Sequence, residues 1–532
     1  MSKQTLPYQE TGYFSQLMSD YLSKDESLAA FYGRFPTLEN FKAQIQEKRL
    51  SVSTDSRTAL VTQLNQQYAG TAVSGATQAN IDSLSSENTF TITTGHQLNL
   101  FSGPLYFLYK IFSVINLSET LNKKYIKQHF VPIYWMATED HDFDEINFFN
   151  SFGTKYRWDR KSEGAVGELS TDGLDEVLKQ FQKDLGESDN AKVLSNLFSE
   201  AYLKNHNLAD ATRYLGNELF KTYGLVIIDG NDAELKKAFV PFVKKEFDTQ
   251  LAHAKVTEAT SRLTALGYPE QVHPREINLF YLTEGSRERI IEKEGKFFIN
   301  NSQKVFSGTE IHQELNEYPE RFSPNVLLRP LYQEVILPNL CYIGGGGELA
   351  YWLQLKTYFE SVKIPFPVLL LRNSVLLAPL TYFRKLEKLG LKMSDLFQKQ
   401  EALKASFTKR ISEIPIDFSN QKAHLKEQFE ALYKLASQTD ASFKGAVGAQ
   451  EKKQLNGLDY LEKRLLKAQK RKFAAQLNAL EVIQNGLFPK QSLQERTLNF
   501  SQFYVAYGDV LLSKLKENLD PLDPTFTILE LA

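Results

Sequence analysis

The stretch around residues 91–147 constrains the fold of this 532-residue chain more tightly than any other. A β-branched run, Thr89-Phe90-Thr91-Ile92-Thr93, empties into Thr94-Gly95-His96-Gln97. A turn at Ser102-Gly103-Pro104 then opens an apolar segment, 105–121, long enough for a helix. A second apolar run, 130–137, empties into Thr138-Glu139-Asp140-His141-Asp142-Phe143-Asp144-Glu145. Strand, helix, strand in that order predicts a βαβ unit with parallel strands, because parallel neighbours need a crossover and a helix supplies it. Both polar loops then leave the same edge of the sheet, and that edge is where open α/β sheets hold ligands.

A chain of this length exceeds one ordinary core, so several domains are expected. Basic and acidic residues number 62 and 64, a formal net charge of -2, which argues against a large nucleic-acid surface. No run approaches the roughly 20 apolar residues of a membrane span. The first 22 residues lack the apolar centre of a signal peptide, and a cytoplasmic protein is expected. The single cysteine, Cys341, excludes an intrachain disulfide and a cysteine-based zinc site. Its apolar neighbours, Leu340, Tyr342 and Ile343, point to buried packing.

The chain divides by pattern. Residues 1–150 hold polar N-terminal helices and the βαβ unit. Residues 151–222 change to loop and amphipathic helix and read as an insertion. A buried strand returns at the start of 223–244, Leu225-Val226-Ile227-Ile228-Asp229, followed by helical spacing. Asp229 would then share the carboxyl edge with His96 and His141. Residues 245–322, with short strands near 278–282 and 296–299, read as a second insertion. The core is expected to resume over 323–380, first as a strand at Ser323-Pro324-Asn325-Val326-Leu327-Leu328-Arg329-Pro330, later as a buried run at 366–372. Residues 381–490 are helical: Leu425, Phe429, Leu432 and Ala436 keep one spacing, and Leu458, Leu461, Leu465 and Ala468 another. Gly445 and Gly448 between them predict a turn joining two long helices, a hairpin or coiled coil whose seam could form a dimer. Residues 491–532 return to the core.

His96 can place an imidazole beside a phosphate or carbonyl oxygen, or it can merely satisfy nearby backbone. Glu139, Asp140, Asp142, Asp144 and Glu145 with His141 put five carboxylates and an imidazole within seven residues. Such a loop can bind a hard cation, a ribose or an amine, and can equally be a solvated acidic surface. No His-Glu-x-x-His pattern marks a zinc site, and the identity of any metal stays open. Gly344 through Gly347 precede Glu348 and a helical segment, so the backbone could approach an anion, although the Lys of a Walker A loop is missing. Arg329 could clamp a carboxylate or phosphate, with Arg372 a weaker candidate, or each could pair with a structural carboxylate. Trp135, Tyr351 and Trp352 read as core, and the basic run at 463–472 as a solvated helix face.

At these motifs the chain resembles the bacillithiol biosynthesis cysteine-adding enzyme family. The matching residues are Thr94-Gly95-His96-Gln97, Ser102-Gly103-Pro104-Leu105-Tyr106, Tyr109-Lys110, Glu139 through Asn147, Tyr223-Gly224-Leu225, Ser323-Pro324-Asn325-Val326, Leu328-Arg329-Pro330, Tyr342-Ile343-Gly344-Gly345, Gly347 through Trp352 and Leu493-Gln494-Glu495-Arg496. Many members carry Gln where His96 stands and Pro where Gly346 stands. The resemblance implies an α/β fold: a Rossmann-like parallel-sheet core, two inserted connecting segments and a helical coiled-coil region that forms a homodimer. It implies a ligase that joins L-cysteine to glucosaminyl malate through an amide, with ATP as the expected activator and a divalent cation compatible with it. On that basis His96, Asp140, His141 and Asp142 are the catalytic candidates. Gly95, Gln97, Gly103, Asp144, Asp229, Arg329, Gly344, Gly345 and Glu348 are the substrate or nucleotide candidates. The competing expectations are a nucleotide-responsive dimeric scaffold without catalysis and a ligase for a related amino-sugar thiol precursor.

Overall fold

The computed structural model describes residues 3–531. Five strands form the central sheet: β1 (Thr89–His96), β2 (His129–Met136), β3 (Val226–Asp229), β4 (Asn339–Gly344) and β5 (Val368–Leu371). They lie in the order β5-β4-β1-β2-β3, and every neighbouring pair is parallel. All residues of β1 and β4 are buried, which is why these strands read as unbroken apolar and β-branched runs rather than as alternating ones. Helix α1 (Tyr106–Lys124) carries the chain from β1 to β2 and is buried nearly all round in its first turns. The chain steps outward from β1 through β2 to β3, then returns to β4 on the other side of β1. That reversal makes the β1–β4 boundary the topological switch point of the sheet.

The first inserted segment contributes the helices Leu174–Leu185, Asp189–Leu203 and Leu208–Phe220. The second contributes an antiparallel sheet whose strands run, in spatial order, Val305–Ser307, Lys296–Ile299, Ser286–Lys293, Leu279–Thr283 and Phe322–Pro324. The expected core strand at Ser323–Pro330 is therefore corrected. Its first residues form the edge of the inserted sheet, antiparallel to Leu279–Thr283. The rest turns into helix α2 (Arg329–Ile336), because Pro330 suits a first helical turn and Asn325 Oδ1 accepts from Leu327 and Leu328 N–H at 2.9 and 3.2 Å. The core resumes instead at β4, around the fully buried Cys341, and passes into helix α3 (Gly346–Trp352).

The helical region holds α4 (Ser419–Ala436) and α5 (Ala441–Lys472), packed as an antiparallel hairpin. The turn expected at Gly445 and Gly448 is misplaced: both lie inside α5. The chain turns just before it, where Asp440 caps α5 through Phe443 N–H at 2.8 Å. Gly448 serves packing, since a Cβ there would meet the Tyr433 hydroxyl of α4 at 3.1 Å. After the arm the chain rejoins the core. Thr525–Leu531 pairs with Val375–Pro379 in parallel and with Lys3–Pro7 antiparallel, so both ends of the chain meet in one small sheet.

Candidate functional site

A cleft of about 930 Å³ opens at the carboxyl edge of the central sheet. β1 supplies Gly95 and His96, the residue after it Gln97, the loop after β2 supplies Glu139, Asp140 and His141, α2 supplies Arg329, and the β4–α3 junction supplies Gly345 and Glu348. These residues are scattered over some 250 positions of sequence, and the switch point gathers them.

Gly103, Asp142, Asp144, Asp229 and Gly344 stand outside the cleft wall. Gly103 shapes the turn before α1, at φ 63°, with its carbonyl accepting from Asn499 Nδ2 at 2.6 Å. Asp142 is exposed where the short helix Phe143–Ile146 begins, and Asp144 is spent on exposed Arg157 at 3.1 Å. Asp229 does sit at the carboxyl edge, but its carboxylate accepts from the Thr138 hydroxyl and from Asn231 N–H. Gly344 offers its carbonyl to Arg372 N–H at 2.9 Å.

Inside the cleft the charges are arranged in layers. Lys110, buried on α1, places Nζ 2.7 Å from Glu348 Oε2 and donates to the Gly95 carbonyl at 2.6 Å. Glu348 also accepts from the Tyr342 hydroxyl at 2.8 Å and from Gly345 N–H at 2.7 Å. Burial alone would raise the Glu348 carboxyl, but Lys110, with the Gly345 N–H and the Tyr342 hydroxyl, outweighs it and holds the group below the ordinary carboxylate range. This lysine ties the end of β1 to the start of α3 across the switch point.

Arg329 makes no ion pair with a carboxylate among the described residues. Its Nη1 donates to Gln333 Oε1 at 3.1 Å, and its guanidinium lies 5.7 Å from the Tyr342 ring centroid. Gln333 is held in turn: it donates to Glu334 Oε1 at 3.0 Å, as does Asn339 at 2.6 Å, and buried Lys48 lies 3.3 Å from Glu334 Oε2. A cation held only by neutral partners, Gln333 and, at 3.5 Å, the Tyr351 hydroxyl, is suited to an anionic ligand.

His96 is only 6% exposed, its ring 5.4 Å from the Tyr106 ring and 4.9 Å from that of Phe107. Burial first, then the charge of Lys110, lowers its pKa to about 3, so the ring is neutral at physiological pH. Its Nε2 has no hydrogen-bond partner among the described residues. Next to it Gln97 Nε2 donates to Asp140 Oδ2 and Glu145 Oε2, both at 2.9 Å, and Lys236 lies 2.5 Å from Glu139. Asp140 Oδ1 accepts from His141 N–H at 2.8 Å. Among the described residues no group of three or more His, Cys, Asp or Glu is arranged to hold a metal ion.

Several wall residues were not singled out from sequence as site members. Lys110 was visible only as part of a Tyr-Lys motif, although a lysine amid the apolar face of a helix is itself a signal. Arg287 and Arg289 also line the cleft. They alternate on one strand and so share a face, a period-two signal inside a segment read only as an insertion. Arg496 arrives from beyond the arm. Arg372, the weaker anion candidate of the sequence, also lines the cleft and is paired with the structural carboxylate Glu495 at 2.8 Å.

Fold and cleft together define a Rossmann-like α/β protein with an open cleft at the sheet's switch point and a coiled-coil arm appended. The chain belongs to the bacillithiol biosynthesis BshC family: residues 1–373 match the model of its N-terminal Rossmann-like domain and residues 375–531 that of its C-terminal coiled-coil domain. It is 55% identical to a protein of Christiangramia forsetii named "Putative cysteine ligase BshC", over 99% of both chains. A protein of the same name from Flavobacterium johnsoniae is 55% identical over 99% of this chain and 100% of its own. One from Cytophaga hutchinsonii is 38% identical over 99% and 98%.

Proposed function

We propose that the protein is a cysteine ligase of bacillithiol synthesis, forming an amide between the carboxylate of L-cysteine and the amine of glucosaminyl malate. The observation that carries this reading is the cleft itself. Arg329, which has no ion pair among the described residues, and Asp140 of the acidic loop both line it, so one site could take both the anionic and the cationic groups of such substrates. Family membership and the relatives' names support the cysteine-ligase chemistry. Its volume of about 930 Å³ suits two small substrates held together.

Amide formation from a free carboxylate runs uphill in water. ATP would supply the activation, making the carboxylate an acyl-phosphate or acyl-adenylate with a good leaving group. Arg329, Arg289 and Arg496 are the cations in the wall that would face phosphates, and a divalent ion would come bound to those phosphates. Asp140 would hold the amine of one substrate before it attacks. Preorganised donors, rather than a covalent enzyme intermediate, would stabilise the charge that develops on the acyl oxygen. The arm would form a homodimer: Leu432, Leu435, Tyr460 and Leu461 of α4 and α5 are 40 to 60% exposed, an apolar surface that a second copy would cover. A biosynthetic enzyme of this kind would work in the cytoplasm, and no helix among the described residues is long and apolar enough to cross a membrane.

The test is reconstitution. Purified protein given cysteine, glucosaminyl malate and ATP should yield bacillithiol by mass spectrometry, and His141→Ala should lose it while remaining folded. Nucleotide binding without product from any amino-sugar acceptor would replace the ligase by a scaffold. A monomer by sedimentation at micromolar concentration would end the dimer.

A further inference from the structure

An arginine of the second inserted segment reaches the loop after β2. Arg287 lies on the strand Ser286–Lys293, its guanidinium carbon 4.0 Å from the centroid of the Phe280 ring. Its Nε donates to Ser323 Oγ at 3.1 Å and its Nη2 to the Pro324 carbonyl at 3.2 Å. Three contacts thus fix the plane of the fork. The remaining arm, Nη1, lies 2.8 Å from His141 Nδ1.

A guanidinium has donors only and keeps its proton at any ordinary pH. The nitrogen it meets must therefore accept. That settles the imidazole: Nδ1 carries the lone pair, the proton sits on Nε2, and the ring is neutral. A competing arrangement exists, because Asp140 Oδ1 lies 3.8 Å from the same Nδ1. An ion pair there would need a proton on Nδ1, and that N–H would point at the Arg287 N–H from 2.8 Å. Asp140 Oδ1 is moreover already taken by the His141 backbone N–H. The shorter contact prevails.

We propose that Arg287 is a positioning residue that holds His141 as the neutral Nε2–H tautomer, so that His141 donates a hydrogen bond to the bound substrate and does not take the proton of the attacking amine. The role in the reaction rests on the ligase reading above; the tautomer does not. The charged groups facing the ring are Arg287, Asp140, Asp142 and Glu288. Burial and Arg287 push the imidazole below its ordinary range against the pull of the three carboxylates. The ring of Phe280, 5.4 Å away, adds no charge. An inserted segment would in this way set the chemistry of a residue on the Rossmann edge.

Histidine-selective ¹⁵N NMR reads the tautomer directly, with His141→Gln assigning one signal among the 8 histidines. The wild type should show protonated Nε2 and bare Nδ1. In Arg287→Met the signals should move to a tautomer mixture with a raised pKa, and Arg287→Lys should restore part of the shift. A wild-type signal with the proton on Nδ1 would overturn the inference without need of any variant, and so would an unchanged His141 pKa in folded Arg287→Met. The pH profile of product formation separates donor from base. A donor still donates when protonated, so kcat/KM should show no acid limb at the His141 pKa beyond the one set by protonation of the substrate amine. An acid limb that moves upward with the NMR pKa in Arg287→Met would make His141 a base and refute the donor role. A wild type with the expected tautomer but no turnover would uphold the positioning by Arg287 and remove the ligase reading instead.

Discussion

A buried imidazole that must stay neutral makes the fold sensitive to acid, and His96 allows the size of that effect to be worked out. Its folded pKa is about 3 against an ordinary 6.5. A depressed folded pKa means that the unfolded chain takes up the proton first. The stabilisation is therefore complete above pH 6.5 and is lost as pH falls toward about 3. A gap of roughly 3.5 units at ~1.36 kcal/mol per unit corresponds to about 5 kcal/mol over the whole window, of which about 3 kcal/mol is gone by roughly pH 4.5. The ring is 6% exposed, so solvent screening does not shrink the effect much. Carboxylates titrate over the same range, and the useful quantity is the difference between wild type and His96→Gln, which cannot bind the proton. Urea denaturation followed by tryptophan fluorescence reports the right part of the molecule, since Trp135, Trp158 and Trp352 all lie within residues 1–373. From pH 7 to about 4.5 the wild type should lose about 3 kcal/mol more than the variant. A stability difference that stays constant across that range would show that His96 is not held neutral by its surroundings.

Glu495→Ala should cost about 3–5 kcal/mol in the same urea assay, because Arg372 would remain buried without its carboxylate; a loss under about 1 kcal/mol would contradict the geometry. Glu495→Gln should cost less, since it keeps an acceptor for Val375 N–H, now at 3.0 Å from Glu495 Oε2. Arg329→Met should leave the melting temperature nearly unchanged, there being no ion pair to break. It should weaken use of the anionic substrate by about 10- to 100-fold in kcat/KM, the worth of a charged hydrogen bond; wild-type kinetics would remove Arg329 from the site. Gly457→Ala in the middle of α5 meets nothing within 4 Å and should stabilise the arm by roughly 0.5–1 kcal/mol in a thermal melt followed by circular dichroism. A lower melting temperature would mean that a contact at this glycine has been overlooked.

What the sequence disclosed and what it hid follow the range of the forces involved. The parallel sheet was legible because strands buried on both faces are built mainly of apolar and β-branched residues, as β1, β2 and β4 are. The Ser323–Pro330 error arose because a short apolar run says nothing about which sheet it joins, while Pro330 fits a first helical turn as well as the end of a strand. Gly445 and Gly448 misled for a different reason. A glycine inside a helix costs only about 1 kcal/mol, and close packing of Tyr433 against Gly448 can outweigh it. In the cleft, residues at strand ends could be named from local pattern. Lys110, Arg287 and Arg496 could not, because their approach depends on contacts between segments far apart in the chain.

Arg496 also bears on how the molecule is divided. The two family domains meet near residue 374, yet Glu495 and Arg496 lie in the second and serve the first. Glu495 neutralises Arg372 under the cleft floor, and Arg496 stands in its wall. The strand Thr525–Leu531 further binds both ends of the chain to Val375–Pro379. The far part of the arm is different: Phe429, Ala436 and Val447 form a small core of their own, separate from the main one. The physical division therefore runs across the hairpin rather than between the sequence domains. An arm tip with its own core can evolve its partner contacts without disturbing the cleft, whereas the segment after the arm cannot change without moving Arg372.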